Sequence, residues 1–304
     1  MGEQVQAIIS VRAPRSSMVF SEAMVTNVID GISRLTSVDF HQYKRNFVQR
    51  QIRRQVVKHC LNVVEEYEKL LLSGKWTAEA LINGMTVNVT QFFRDPPLFE
   101  LLMEHIFPLL WNRHQSQRGH EFRIWIMGCS TGEEAYSVGM ALHESVRSGF
   151  SADKVRIFAT DLDEIVVHHA RRGEYELADL NHLGPDLIQK YFLAGEKYRV
   201  IPELRRQITF GQHDLLRDPF IRHLDMIFCR NILIFLEREA QERICEMMYD
   251  SLNSGGVMVL GRAESLTKKY CNKGFVSLCR QNRVFQKVNA HGAGEDGVSK
   301  RSIG

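Results

Sequence analysis

The sequence has no long apolar run. Its most hydrophobic stretch, Met226 to Leu236, is broken by Arg230 and Asn231 and falls far short of the ~20 residues of a membrane-spanning helix. Charge imbalance is small: 39 basic and 36 acidic residues leave a net +3, which by itself does not mark a nucleic-acid-binding chain. Cysteine is sparse, at positions 60, 129, 229, 245, 271 and 279. No two form a CxxC pair and none joins histidines at zinc-ligand spacing, so reduced cysteines and no metal are expected. Also missing are the G-x-G-x-x-G fingerprint of dinucleotide sites and the Gly-Lys-Ser/Thr of a phosphate-binding loop. Neither a Ser/His/Asp nor a Cys/His arrangement for nucleophilic catalysis is found. Met1-Gly2-Glu3-Gln4 lacks the regions of a secretory signal, and Gln6 stands where a myristoylation motif needs Ser or Thr. A cytoplasmic protein is therefore expected.

What remains is a soluble globular composition, 44% hydrophobic and 25% charged over 304 residues, long enough for one large domain or two ordinary ones. Residues 1–20 carry no periodic pattern and read as a flexible leader. Residues 21–87 read as all-helical. Phe40, Tyr43 and Phe47, then Val56, Val57, Leu61 and Val64, recur at helical spacing, and Ser73-Gly74 stops a helix. The polar side of the middle helix is basic (Lys44, Arg45, Arg50, Arg53, Arg54, Lys58), with Arg50, Arg54 and Lys58 on one face. From Arg123 the texture alternates between strand and helix, which predicts a mainly parallel sheet with right-handed crossovers. Strands are expected at 123–127, 155–160, 225–229, 257–260 and 283–288. Helices are expected at 131–146, 162–172 and 237–252, the last stopped by Asn253-Ser254-Gly255-Gly256. Residues 176–209, with a helix from Gly184 to Phe192 and a small edge strand at 197–201, read as an insertion on this core. The Gly-rich, polar stretch 289–304 should be disordered.

The chemistry gathers at the first strand–helix junction, Ile124 to Glu134. An open α/β sheet binds its ligand beyond the C-terminal ends of its strands. Here Gly128 and Gly132 shape the turn, and Glu133-Glu134 open the helix. Two carboxylates there oppose a phosphate that a helix start otherwise favours. The turn thus suits a phosphate-free adenosine ligand bearing positive charge, such as S-adenosylmethionine; the plainer alternative is an ordinary capped helix. Asp161, closing the second strand, is placed to accept both ribose hydroxyls, unless it or Asp163 is simply an N-cap. Polar groups of Gln212-His213-Asp214 could reach an adenine edge, with Leu215 against the ring.

Four strings in order, Asn88-Val89-Thr90-Gln91-Phe92-Phe93-Arg94, Cys129-Ser130-Thr131-Gly132-Glu133-Glu134-Ala135-Tyr136-Ser137, Ala159-Thr160-Asp161-Leu162-Asp163 and Ile227-Phe228-Cys229-Arg230-Asn231-Ile232-Leu233-Ile234, resemble the chemotaxis-receptor glutamate methyltransferase family. The likeness runs from about residue 30 to 288. It implies a Rossmann-like S-adenosylmethionine methyltransferase domain over 88–288, with a small inserted β-subdomain at 176–209 and an all-helical N-terminal domain. It also implies methyl transfer from S-adenosylmethionine, giving S-adenosylhomocysteine, to glutamate side chains of a receptor's cytoplasmic helical domain. Cofactor contacts carried over by the resemblance are Asn88, Thr90, Arg94, Glu134, Asp161, Asp214, Leu215, Arg230 and Asn231. Two positions depart from the family pattern: Asp214 stands where asparagine is common, and Phe235 where a tyrosine often lies near the transferred methyl. Either that hydroxyl is dispensable, or a neighbour such as Tyr136 supplies it, or turnover is slower.

A glutamate acceptor, with a reference pKa of ~4.3, is already ionised at neutral pH. Its methylation needs alignment and no general base. Arg94 is the first candidate to orient the acceptor, by its fork geometry and its family position, and Arg230 the second. Arg50, Arg53, Arg54 and Lys58 are the candidate dock for an acidic receptor bundle. The segment Phe192–Tyr198 looks too short to read a receptor tail, so tail-independent recognition is expected, by a monomer. Two rivals remain. One is a nucleic-acid methyltransferase, for which Asp95-Pro96-Pro97-Leu98 is a partial lookalike motif, although prolines at a helix start explain it more simply. The other is a non-catalytic S-adenosylmethionine-binding regulator.

Overall fold

The structure, a computed structural model, describes residues 21–59, 61, 64–115, 121–146, 151–266 and 274–288. The leader and tail of the sequence reading, with Cys60 and Cys271, lie outside them. The chain divides into two compact units, Met1–Thr86 and Val87–Gly304.

The first unit is helical: α1 (Glu22–Thr36), α2 (Arg45–Lys58), α3 (Val64–Leu72) and α4 (Ala78–Met85). Ser21 and Thr77 cap α1 and α4 by accepting the amides of Met24 and Ala80. Val25, Val28, Ile29 and Ile32 form the buried stripe of α1, and Phe47, Val48, Ile52 and Val56 that of α2. Val57, grouped with the apolar face in the sequence reading, is 44% exposed, because one residue is a 100° rotation away from Val56. The buried Gln55 donates to the carbonyl of Gly84 at 2.7 Å and fills the space a side chain at 84 would need.

The second unit opens with α5 (Pro96–Leu101), a π-helical turn (Leu102–Ile106) and α6 (Phe107–Gln115). Then come β1 (Phe122–Met127), α7 (Glu133–Ser145), β2 (Val155–Asp161) and α8 (Glu164–Arg172). Next are β3 (Glu174–Tyr175), α9 (Pro185–Tyr191), β4 (Phe192–Leu193), β5 (Tyr198–Val200) and α10 (Pro202–Arg205). The unit closes with β6 (Ile208–Gln212), β7 (Leu224–Cys229), α11 (Arg238–Ser251), β8 (Leu252–Leu260), β9 (Phe275–Cys279) and β10 (Val284–Lys287). The main sheet runs β6-β2-β1-β7-β8-β10-β9. Its first five strands are parallel, and β10 is antiparallel to both β8 and β9. Both faces of β1 are buried, with Ile124 and Ile126 on one and Trp125 on the other, as a strand covered by helices on both sides requires.

Two expectations are corrected. The 197–201 strand is no edge: β5 is the middle strand of a separate three-stranded sheet, β3-β5-β4. Its partners are two-residue strands, too short to leave a periodic signal. Asn253–Gly256 does not follow the helix as a loop but belongs to β8, which begins directly after α11. There Gly255, at φ 74°, accommodates a break in register against β7, and Asn253 bonds Asp225 at 3.1 Å. Strand β9 was not anticipated.

Candidate functional site

The parallel register brings Met127, Thr160 and Cys229 level at the C-terminal edge of the sheet. Gly128 (φ 64°), Ser130 (φ 49°) and Gly132 (φ 100°) turn the chain from β1 into α7. A Cβ on Gly128 would meet Ile232 Cδ1 at 2.7 Å, so this glycine is needed where the loop after β7 closes on the turn. From the small sheet, Tyr175 donates its hydroxyl to the Thr131 carbonyl at 2.7 Å and steadies the turn.

Asp161 ends β2. Its carboxylate accepts the Ser130 amide at 2.8 Å and the Asp163 amide at 3.0 Å. Burial pushes its pKa up to about 6. Asp163 is the N-cap of α8, taking the Ile165 amide at 3.0 Å and the Asn88 amide group at 2.8 Å. Asn88 is therefore tied to the α8 cap. Thr90 is half-buried. Asp214 uses its carboxylate to accept the Leu216 amide at 2.9 Å, and burial raises its pKa. Its segment is fixed by His213, whose backbone donates to the Asp161 carbonyl and whose ring meets Trp125 edge-on at 5.2 Å. Leu215 is half-buried. Sequence reasoning missed Trp125 as the support of this wall, and its bond to Thr160 Oγ1 at 2.9 Å crosses between strands.

The two acids of the turn separate. Glu133 is buried and folds back to Thr131 Oγ1 at 2.7 Å, and burial raises its pKa. Glu134 alone faces the loops, and Arg230 Nη1 donates to it at 3.0 Å. Arg230, the second catalytic candidate, has a side chain 1% exposed. Its other terminal nitrogen donates to the Asp95 carboxylate and, at 3.3 Å, to the Arg94 carbonyl. A guanidinium this desolvated is offset by its two carboxylates. It ties the loop after β7 to α7 and to the loop before α5.

Arg94 lies in that last loop between Phe93 (φ 49°) and Asp95 (φ 67°), both left-handed, a conformation costly for such residues. The strain is held by the Phe93 amide donating to Ser137 Oγ at 2.9 Å, by Phe92 packed edge-on to Tyr175 and Phe192, and by Arg230 on Asp95. Pro96 and Pro97 open α5, so the Asp-Pro-Pro lookalike is an ion-paired helix start. The Arg94 guanidinium, half-buried, donates to the Val89 carbonyl at 3.2 Å and keeps most of its five donors for a ligand. Tyr136 is fully buried, and its hydroxyl donates to the Ala170 carbonyl at 2.8 Å. It does not replace the hydroxyl absent at Phe235. Another residue missed by the sequence reading is Glu264, a buried acid whose oxygens accept the amides of Asn231, Ile232, Leu233 and Gly261. Its one sequence signal is an acid shortly after an apolar strand.

Cys129, Cys229 and Cys245 are buried, and burial pushes the thiols of Cys129 and Cys229 well up, which makes them poor nucleophiles. Among the described residues no cluster of histidine, cysteine and acidic side chains is set to hold a metal, and no helix is long and apolar enough to cross a membrane. In the helical unit, Arg50, Arg53, Arg54 and Lys58 are exposed along α2. Arg45 instead turns back to Glu22 on α1 at 3.1 Å.

An adenosyl methyl donor fits this turn. Ser130 Oγ is buried without a hydrogen-bond partner, Gly128 and Ile232 close around the turn, and the acceptors on offer are carboxylates. Residues 88–280 match the family described as "CheR methyltransferase, SAM binding domain", and residues 25–86 match "CheR methyltransferase, all-alpha domain". A chemotaxis protein methyltransferase of Listeria innocua is 31% identical over 236 residues, 77% of this chain and 87% of that protein. One from Escherichia coli is 30% identical over 264 residues, 82% of this chain and 87% of that protein. An uncharacterized 104.1 kDa protein of Rhodobacter capsulatus is 32% identical over 263 residues, which span 86% of this chain and 27% of that relative.

Proposed function

The chain belongs to the CheR methyltransferase family and carries its S-adenosylmethionine-binding domain; from that premise we propose that it moves the donor's methyl group onto glutamate side chains of a chemoreceptor's cytoplasmic helical domain, giving methyl esters. When bound, S-adenosylmethionine supplies a methyl carbon on a positively charged sulfur. Asp161 and Ser130 Oγ are the groups for the ribose, Glu134 for a cationic group of the donor, and Asp214 and Leu215 for the adenine side. Asn231 lines the same turn, and Asn88 and Arg230 act one step back by holding Asp163 and Glu134. An acceptor carboxylate is ionised near neutrality and needs no proton removed. The work left to the chain is alignment, which can lower a barrier by ~7–11 kcal/mol, and Arg94 is the group that aims the acceptor.

The observation that carries this reading is the strained loop around Arg94, braced through the Arg94 carbonyl by Arg230, the same guanidinium that donates to Glu134 of the turn. The α2 cations then meet the acidic bundle. The chain works in the cytoplasm as a monomer on this reading, and its compact β4–β5 hairpin recognises the receptor without its tail.

The test is to incubate the protein with methyl-labelled S-adenosylmethionine and, separately, a receptor cytoplasmic fragment and duplex DNA, then locate label by mass spectrometry. Base-labile label on receptor glutamates is expected. Label on DNA supports the nucleic-acid rival, and donor binding without turnover supports the regulator.

A further inference from the structure

Glu264 lies in the loop after β8 and is 3% exposed. Four backbone amides donate to its carboxylate: Gly261 at 2.6 Å, Asn231 at 3.0 Å, Ile232 at 2.8 Å and Leu233 at 2.7 Å. Successive amides converging on one point form a concavity of the kind that binds anions. Here the chain fills it with its own anion. Burying a carboxylate is unfavourable, and its hydrogen bonds, with the nearby charge of Arg230, offset that cost. No ion pair to Glu264 occurs among the described residues. Three of the four bonds therefore fix the path of residues 231–233, and the fourth closes the loop at Gly261.

That path is unusual. Asn231 is held at φ 62°, a left-handed conformation that asparagine tolerates better than most residues. It stands directly after Arg230, which binds Glu134 and Asp95, and it leads into the short helical turn Leu233–Phe235. Gly261 has to be glycine for the same contact, since a Cβ there would meet Glu264 Oε2 at 2.7 Å and the Asn231 amide nitrogen at 2.9 Å. The loop is thus gripped twice, by the Arg230 side chain on one side and by Glu264 on its backbone.

We propose that Glu264 is a positioning residue for methyl-donor binding, fixing the loop after β7 so that Asn231 lines the donor site and Arg230 holds Glu134 towards it. This rests on the methyltransferase reading above. A glutamine at 264 keeps the shape but offers one acceptor oxygen, and its NH2 group faces the amides as a fellow donor. Two of the four bonds at least are then lost.

The experiment measures S-adenosylhomocysteine affinity by calorimetry, together with amide hydrogen exchange at 231–233, in the unaltered chain, Glu264→Gln and Val155→Ala. Val155 is buried at the far end of β2, so its variant reports simple destabilisation. The expected result is roughly tenfold weaker binding or more in Glu264→Gln, the size of a lost charge-assisted bond, with faster exchange at 231–233. Val155→Ala should bind like the unaltered chain. Affinity in folded Glu264→Gln within about twofold of the unaltered chain overturns the proposal, as does an equal loss in Val155→Ala. If Glu264→Gln does not fold, Glu264→Asp, which keeps the charge on a shorter arm, is read against the same limits. Failure of the unaltered chain to bind overturns the methyltransferase reading itself, a different result from binding that ignores residue 264.

Discussion

At the scale of single residues, the two arginines of the sequence reading part ways because of what surrounds them. Arg230 is sealed between Glu134 and Asp95; Arg94 is half-buried with one carbonyl contact. Arg94→Ala should therefore leave the melting temperature nearly unchanged, while methyl transfer falls about 100-fold or more, as a radiolabel assay would read. Phe235→Tyr should be tolerated in the same assay. Asp161 sets a pH dependence. Its carboxyl titrates near 6 in the folded chain, above its ordinary 3.8. The folded state therefore takes up a proton on acidification through that window, and the ligand-free protein loses stability as pH rises from about 4 to 6. With Asp161 assigned to the ribose as proposed, donor binding should run the other way, because the ionised carboxylate is the better acceptor for ribose hydroxyls. Calorimetric affinity for S-adenosylhomocysteine should fall as pH drops through 6, approaching tenfold per unit below it, and Asp161→Asn should flatten the curve.

At the scale of elements, the junction between β1 and α7 depends on backbone more than on side chains. Gly132 sits at φ 100°, and a Cβ there would stand 2.9 Å from Ala170 Cβ and 3.1 Å from Ala170 Cα on α8. Gly132→Ala should cost about 2–3 kcal/mol, read as a lowered denaturation midpoint. Helix α2 is the opposite case: its cations Arg50, Arg53, Arg54 and Lys58 are exposed, and the proposed docking role falls to them. Replacing Arg50, Arg53, Arg54 and Lys58 together by glutamine should leave stability unchanged. It should weaken binding of a receptor fragment roughly tenfold at low salt and flatten the salt dependence measured by calorimetry.

At the scale of the whole molecule, every residue assigned to the donor belongs to the second of the two compact units. Ligand binding stabilises only what it binds, by ~2.7 kcal/mol at a hundredfold excess over Kd. A calorimetric scan with S-adenosylhomocysteine should raise the transition of the α/β unit. The sequence by itself determined the helical first unit, the alternation of the main parallel strands with their helices, and the strand ends that form the first strand–helix junction. Periodicity and glycine placement are local signals, and they survive without contacts. Only the tertiary structure decided which charges are free. Nothing in the strings around Arg94 and Arg230 distinguishes a guanidinium braced between carboxylates from one left open, or Glu133 folded inward from Glu134 facing the loops. Those roles come from partners far away in the chain, as does the grip of Glu264 on residues 231–233. Long-range pairing also hid the small sheet and the start of β8, where two-residue strands and a glycine bulge carry no period of their own.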